Sequence, residues 1–229
     1  MIEFNRITTR AFATDERYRD KNWDKHRTDT TFGGALYDHS VDFAVLDQQR
    51  FTRQMVFDHF GASDRKGVVS AIKWGYPKGS LPGGKWRAFS AAFRSDALVA
   101  RIGDLRKAPA TAHETVASLN ACIAGIGTAT TTKLAYFAGL TTAEGHQCLI
   151  YDSMVRRAVR GIDMQEFVEL AAIIRRSPRD LTPRQQEETY GLYIHGVHQV
   201  AAVRGVEPDA VELALFLAGR QQPTRQLLA

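Results

Sequence analysis

Lys133 and Asp152 are two side chains, nineteen residues apart, that can carry out covalent and electrostatic chemistry together. A lysine amine is a nucleophile only in its neutral form, and an apolar wall such as Leu134, Tyr136 and Phe137 or a nearby cation favours that form. Such an amine attacks an electrophilic carbon and can form a Schiff base. Asp152 lies at a predicted helix start, where backbone amides hold a carboxylate ionised and let it stabilise a developing positive charge. The pair thus offers a possible nucleophile and an ionised carboxylate.

A Gly-Ile-Gly turn precedes the lysine and separates two predicted helices, at about residues 113–138. Glycine lets the backbone turn tightly and approach a partner closely. The first amides of the helix that follows have no internal acceptor, and helix starts of this kind attract phosphate. The turn therefore predicts a helix-hairpin-helix that binds phosphate. The predicted phosphate ligands are the amides of Gly125, Gly127 and Ala129 and the hydroxyl of Thr128.

The elements that position these residues are predicted to be helices. Apolar residues recur every three or four positions from about residue 85 almost to the end, and alternating strand patterns are scarce, so the fold class is mainly α. Asp163 and Thr182 are predicted N-caps, and Pro208 is predicted to open the last helix. The glycines and prolines of residues 75–84 predict a loop. The predicted helices span residues 49–60, 64–73, 87–102, 113–123, 128–138, 153–160, 164–175, 183–203 and 207–218.

Length and composition limit the class of protein. The chain has 229 residues, 44% of them hydrophobic and 24% charged, as in an ordinary soluble globular protein. No apolar run approaches the ~18 residues of a membrane span, and the first residues lack a secretory pattern. We therefore expect a cytoplasmic protein with no membrane partner. Residues 51–229 are assigned to one helical domain, and residues 1–50, without clear periodicity, to an N-terminal segment of unknown role.

Basic residues are concentrated in residues 61–110, which contain ten Lys or Arg and three Asp, a net charge of +7. The whole chain carries +5, so the remainder is slightly acidic. A basic segment interleaved with Trp74, Tyr76 and Trp86 suits a surface that follows phosphates and stacks on bases. The alternative is a solvated basic face with core tryptophans. Together with the glycine turn, the segment favours nucleic acid as the partner.

Four stretches carry a resemblance to known enzymes: Gly-Ile-Gly with Thr-Thr-Lys-Leu-Ala-Tyr-Phe after it, Tyr-Asp-Ser-Met-Val-Arg-Arg-Ala-Val, Trp-Gly-Tyr-Pro at 74–77, and Val-Glu-Leu-Ala-Leu-Phe at 211–216. In these stretches the chain resembles the helix-hairpin-helix DNA glycosylase superfamily, and more closely its 8-oxoguanine DNA glycosylase branch of bacterial proteins. The resemblance covers roughly residues 50–220. It implies a helical glycosylase-like fold that binds double-stranded DNA and flips out a base.

The resemblance implies excision of an 8-oxoguanine-like purine, with Lys133 attacking the sugar carbon and Asp152 stabilising the charge on the sugar. The Schiff base would also give AP lyase activity. In the family's usual pattern the lysine follows the second glycine by two residues. Ala129 stands there in this chain, and Lys133 lies one helical turn later on the same face. If Lys133 is instead structural and contacts phosphate or solvent, Asp152 with water still supports base excision.

A flipped base must be held between aromatic or apolar faces. Trp74, Tyr76 and Phe137 are the candidates, and packing in the core is the alternative for each. Relatives with this fold also resemble accessory proteins of bacterial anti-phage loci, so a modified phage base is a second substrate class. Two other classes of function stay open: a catalytically silent helix-hairpin-helix module that binds DNA or recruits a partner, and a helical scaffold without nucleic-acid affinity.

No cofactor or metal is expected. Cys122 and Cys148 are too few for the four-cysteine iron–sulfur cluster of some helix-hairpin-helix glycosylases. A zinc deaminase is excluded because the chain has no Cys-x-x-Cys motif. His195 and His198 share a helix face, but no third ligand is evident in the sequence. Residues 75–80 lack the ending of a nucleotide-binding P-loop.

Overall fold

A computed structural model describes residues 52–76, 86–178 and 180–221. Within these ranges the chain forms ten α-helices, one 3₁₀ turn and no strand, which confirms the mainly α class. None of the described helices is long and apolar enough to cross a bilayer. The predicted N-terminal segment, residues 1–50, lies outside the described residues. The elements are α1 (Arg53–Ala62), α2 (Asp64–Gly75), α3 (Trp86–Arg94), α4 (Asp96–Lys107), α5 (Ala112–Ala121), α6 (Thr128–Phe137), α7 (Ser153–Gly161), the 3₁₀ turn (Gln165–Phe167), α8 (Val168–Arg176), α9 (Pro183–Arg204) and α10 (Pro208–Gln221).

Local capping chemistry sets several helix starts. Thr182 forms a capping box with Gln185 ahead of Pro183 at the start of α9, as predicted. Pro208 opens α10, also as predicted. At each of these starts a side chain or a proline ring satisfies or removes an amide that has no acceptor within the helix.

Several predicted helix boundaries were wrong. The helix predicted at 49–60 begins at Arg53 and ends at Ala62. Residues 87–102 are not one helix, because the Ser95 side chain accepts the Leu98 amide and starts α4 anew. Asp163 caps no helix, since a 3₁₀ turn follows it and α8 begins only at Val168. The predicted loop at 75–84 starts one residue later, because Gly75 is the last residue of α2. Apolar spacing continues across such a break, so periodicity alone does not reveal it.

Helix α6 lies at the centre of the described fold and packs against α1, α2, α5 and α9. Nearly every one of its residues is buried, as expected of a helix surrounded by others. Helix α7 packs mainly against α10. At that contact a Cβ on Gly219 would lie only 1.9 Å from the Met154 carbonyl oxygen, so only glycine permits this approach. The two helices that begin at the site, α6 and α7, are thus fixed by different neighbours.

Candidate active site

Lys133 on α6 and Asp152 at the start of α7 lie side by side. Lys133 Nζ is 3.5 Å from Asp152 Oδ2, and the two side chains are 7% and 14% exposed. An ion pair so poorly hydrated interacts more strongly than one on the surface, because the local dielectric constant is lower. The two residues with predicted chemistry therefore form one largely buried site that keeps a small exposed fraction.

The Lys133 side chain extends back along α6 toward the start of the helix. Nζ donates a hydrogen bond to the Ala129 carbonyl oxygen at 3.1 Å. Helical side chains lean toward the N-terminus, so this direction is the ordinary one. The amine consequently lies beside Ala129, the position at which the resemblance places the lysine.

The two carboxylate oxygens of Asp152 have separate partners. Oδ1 accepts the amides of Met154 at 2.9 Å and Val155 at 3.2 Å, which makes Asp152 the N-cap of α7. Oδ2 faces Lys133. The helix start stabilises the negative charge on this group. The cap holds the carboxylate so that Oδ2, the oxygen that does not cap the helix, points at the amine of Lys133.

The extended segment before Asp152 is held by tyrosines of α9. The Tyr190 hydroxyl accepts the Leu149 amide at 3.0 Å and donates to the Leu149 carbonyl at 2.9 Å. The Tyr193 hydroxyl donates to the Ile150 carbonyl at 2.9 Å. Burial raises the pKa of both phenols well above the usual value, so both stay protonated donors. Side chains here satisfy backbone groups that a sheet would otherwise pair.

Thr132 joins α6 to the same extended segment. Its buried Oγ1 accepts the Tyr151 amide at 3.1 Å. Thr132 precedes Lys133, and Tyr151 precedes Asp152, so this single bond ties the backbones of the two site residues together. Sequence reasoning gave the hydroxyl of Thr132 no such role, because the bond spans nineteen residues and has no local signature.

We expect Thr132→Val to lower the free energy of unfolding by about 1–3 kcal/mol, because it leaves the Tyr151 amide buried without a partner. The rate of any reaction that uses Lys133 and Asp152 together should fall about tenfold, since the distance between the two side chains is no longer fixed. Urea denaturation and single-turnover kinetics measure the two effects. Thr115→Val is the control, because Thr115 is also fully buried but lies on α5 and its hydroxyl bonds the Ala110 carbonyl. Equal losses of turnover in both variants would contradict the positioning role.

The predicted phosphate ligands lie together in the turn between α5 and α6. Gly125 has φ 90° and Gly127 has φ 71°, a region that favours glycine. Gly127 is the N-cap of α6 and supplies no side-chain acceptor for its first amides. The Oγ1 of Thr128 is buried and has no hydrogen-bond partner among the described residues. Beside it, Ala129 is partly exposed, so the turn combines donors without acceptors and a backbone that can be approached closely.

The three aromatic candidates occupy different environments. Trp74 and Phe137 are buried, and their rings pack edge to face with centroids 5.1 Å apart. Tyr76 is half-buried, its hydroxyl lies 2.9 Å from Thr130 Oγ1, and its ring packs against Phe89. In this conformation Trp74 and Phe137 offer no open face, whereas Tyr76 has exposed surface close to α6.

A buried ion pair lies behind the site. Arg53 Nη1 is 2.7 Å from Glu212 Oε2, and both side chains are almost fully buried. Arg53 also donates to the Tyr136 hydroxyl at 3.3 Å. Burial and, less strongly, the charge on Asp152 raise the pKa of Glu212 to about 7 against the lowering effect of Arg53. Sequence reasoning missed this pair, because Arg53 and Glu212 lie at opposite ends of the described chain.

The basic segment is partly structural. Arg106 pairs with Asp64 at 2.7 Å, and Arg65 pairs with Asp96, so both arginines tie α2 to α4. Lys73 is fully buried. Fewer charges of this segment are therefore available to a nucleic acid than its net charge suggests. The exposed members among those described are Arg94, Arg101, Lys107 and the ion-paired Arg106.

His146 stacks on His198 with centroids 4.4 Å apart and lies 6.1 Å from His195. Sequence reasoning found only the pair on α9 and missed the third histidine, which a loop supplies. The described residues nevertheless contain no group of three ligands placed to hold a metal ion. Burial lowers the pKa of His198, which favours its neutral form.

The sequence matches a known protein family over residues 9–216, a range that includes most of the N-terminal segment. The family is described as "Putative 8-oxoguanine DNA glycosylase OGG-like protein". No curated protein and no solved structure matches the chain.

Proposed function

The chain belongs to the OGG-like family, and on that premise we propose that it is a DNA glycosylase that excises a modified purine through Lys133 and Asp152. The observation that carries the proposal is the 3.5 Å approach of Lys133 Nζ to Asp152 Oδ2 in a largely buried site. A structural surface lysine would extend into solvent, where an ion pair contributes little. Lys133 instead lies buried along α6 and meets a carboxylate fixed by a helix start.

DNA binding is proposed at the turn between α5 and α6. In this proposal the amides of Gly125, Gly127 and Ala129 bind a backbone phosphate in the manner of a helix-hairpin-helix. The hydroxyl of Thr128, the fourth predicted ligand, is buried in this structure and would reach a phosphate only after a local rearrangement. A base in a duplex must leave the stack before an enzyme can act on its glycosidic bond. We assign Tyr76 the contact with the flipped base, with Trp74 and Phe137 as the packed wall behind it.

The proposed reaction begins with the glycosidic bond. As the base departs with its electron pair, positive charge develops on the sugar, and the Asp152 carboxylate stabilises it. The neutral Lys133 amine forms a bond to the sugar carbon and loses a proton. The bond from that carbon to the ring oxygen then breaks, the oxygen takes up a proton, and a Schiff base to Lys133 is left. The AP lyase step is an elimination from that intermediate, in which the carbon next to the imine loses a proton and the 3′ phosphate leaves with the electrons of its C–O bond. The protons removed from Lys133 pass to Asp152 or to water where the site is exposed.

The substrates to test are an 8-oxoguanine-like purine and the modified bases of phage DNA. The family description concerns 8-oxoguanine, and the partly exposed Tyr76 suits any planar base, because stacking depends little on base identity. Excision of an 8-oxoguanine-like purine corresponds to a role in DNA repair. Excision of a modified phage base corresponds to an anti-phage role.

We expect Asp152→Asn to reduce base release about 100-fold, because a neutral amide stabilises the sugar cation far less than a carboxylate does. Asparagine is as good an N-cap as aspartate, so the fold and α7 should be retained. The measurement is single-turnover base release from duplexes carrying each candidate base, beside salt-dependent DNA binding. If the wild-type protein binds DNA in a salt-sensitive manner but releases no base, the enzymatic function is contradicted and the protein is a DNA-binding module.

A further inference from the structure

Gly75, the last residue of α2, lies directly against the side chain of Lys133. A Cβ placed on Gly75 would be 2.9 Å from Lys133 Cδ and 3.2 Å from Cε. Real Cβ atoms do not come this close to a neighbour without displacing it. The space that the lysine stem occupies is therefore available only because residue 75 has no side chain.

The lysine stem is confined between two helices. Its own helix, α6, packs against α2, and Nζ must pass Gly75 to reach Ala129 and Asp152. Because Lys133 has four flexible bonds, a Cβ at residue 75 can be accommodated by moving the stem rather than the helices. Such a movement carries Nζ away from Asp152.

We propose that Gly75 is a positioning residue, whose missing side chain fixes the path of Lys133 across the last turn of α2 and so aims the amine at the reacting carbon. Gly75 lies in helical conformation, and alanine favours that conformation more than glycine does. Because alanine preserves the helix, Gly75→Ala tests the space beside Lys133 rather than the freedom of the backbone. The catalytic consequence rests on the proposed function, whereas the effect on Lys133 itself does not.

The test compares Gly75→Ala with Gly61→Ala. Gly61 is also close to the end of its helix, α1, and a Cβ there would meet nothing within 4 Å. Two properties are measured in each variant: the rate at which Lys133 is reductively methylated in the free protein, followed by peptide mass spectrometry, and the single-turnover rate of borohydride-trapped adduct formation with abasic-site DNA. The dissociation constant for the same DNA and the melting temperature are measured alongside.

In Gly75→Ala we expect the methylation rate of Lys133 to change at least threefold and the trapping rate to fall at least tenfold. The dissociation constant should stay within twofold of wild type, because the phosphate contacts are elsewhere. Gly61→Ala should match wild type in all four measurements. A change in rate without a change in dissociation constant distinguishes positioning from a loss of binding.

The positioning role of Gly75 and the proposed lyase function are contradicted by different results. An unchanged methylation rate of Lys133 in Gly75→Ala overturns the positioning role, whatever the trapping rate. If the wild-type protein forms no adduct with any DNA, the lyase function fails, and the methylation rates still decide whether Gly75 fixes the lysine.

Discussion

Lys133→Gln is expected to lose the borohydride-trapped adduct with abasic-site DNA, with a rate at least about 1000-fold below wild type. The glutamine amide nitrogen has no basic lone pair and cannot form a Schiff base with the opened sugar. Glutamine is polar, uncharged and shorter than lysine, so it fits the space between α2 and α6. The measurement is single-turnover trapping followed by separation of the covalent complex under denaturing conditions.

Lys107→Gln is the control for this substitution, because Lys107 is an exposed lysine in the last turn of α4. It should trap at the wild-type rate and bind DNA at most slightly more weakly, since it removes one surface charge. Trapping that persists in Lys133→Gln would assign the nucleophile to another amine. Base release that persists while trapping is lost would indicate a glycosylase that uses water with Asp152.

Arg53→Met is expected to lower the free energy of unfolding by about 3–5 kcal/mol near pH 8, the usual effect of removing one partner of a buried ion pair. The substitution leaves Glu212 buried without the guanidinium that lies 2.7 Å away. It also removes the hydrogen bond to Tyr136 and the stacking of the guanidinium on that ring, 5.2 Å from its centroid. Chemical denaturation followed by circular dichroism measures the loss.

The size of this loss should depend on pH. Burial raises the pKa of Glu212 from 4.5 to about 7, so the folded protein retains a proton that the unfolded chain releases. This group therefore makes the free energy of unfolding fall as pH rises from 4.5 through about 7. In Arg53→Met the pKa of Glu212 rises further, because Arg53 no longer lowers it. The cost of the substitution should be smaller at pH 5.5, where Glu212 is neutral in both proteins, than at pH 8.5.

Arg184→Met is the matched control, because Arg184 pairs with Glu188 four residues later on the exposed face of α9. Surface pairs of this kind contribute little to stability, so its effect should be small and nearly independent of pH. The double variant Arg53→Met with Glu212→Leu removes both buried charges and should recover part of the stability. A pH-independent loss in Arg53→Met would show that packing, rather than charge, explains the effect.

Local chemistry in the sequence determined the helical class and several helix starts. Thr182 with Pro183 caps α9, and Pro208 opens α10, because the signals for these starts lie within one turn of the helix. Ser95 shows the limit of that reasoning. The break it introduces between α3 and α4 leaves the apolar spacing intact, so a continuous helix was predicted.

The glycine turn before α6 and the cap of α7 were also predicted from the sequence. Gly125 and Gly127 adopt positive φ in the turn before α6, and Asp152 caps α7. Both features depend on the residues of a single turn. The resemblance of these stretches to the glycosylase superfamily agrees with the family to which the chain belongs. The catalytic roles of Lys133 and Asp152 stay predictions until the variants are measured.

Tertiary structure alone decided what surrounds the pair. The contact of Gly75 with Lys133, the bond from Tyr151 to Thr132 and the ion pair of Arg53 with Glu212 each join residues far apart in the chain. A glycine or a threonine in a helix has no local signal that distinguishes such a role from an ordinary one. The sequence by itself determined which groups could react, because side-chain chemistry and local capping are properties of neighbouring residues. Packing of α2, α6, α7 and α10 determined the distance between the reactive side chains, their exposure and their partners, since these depend on contacts between distant segments.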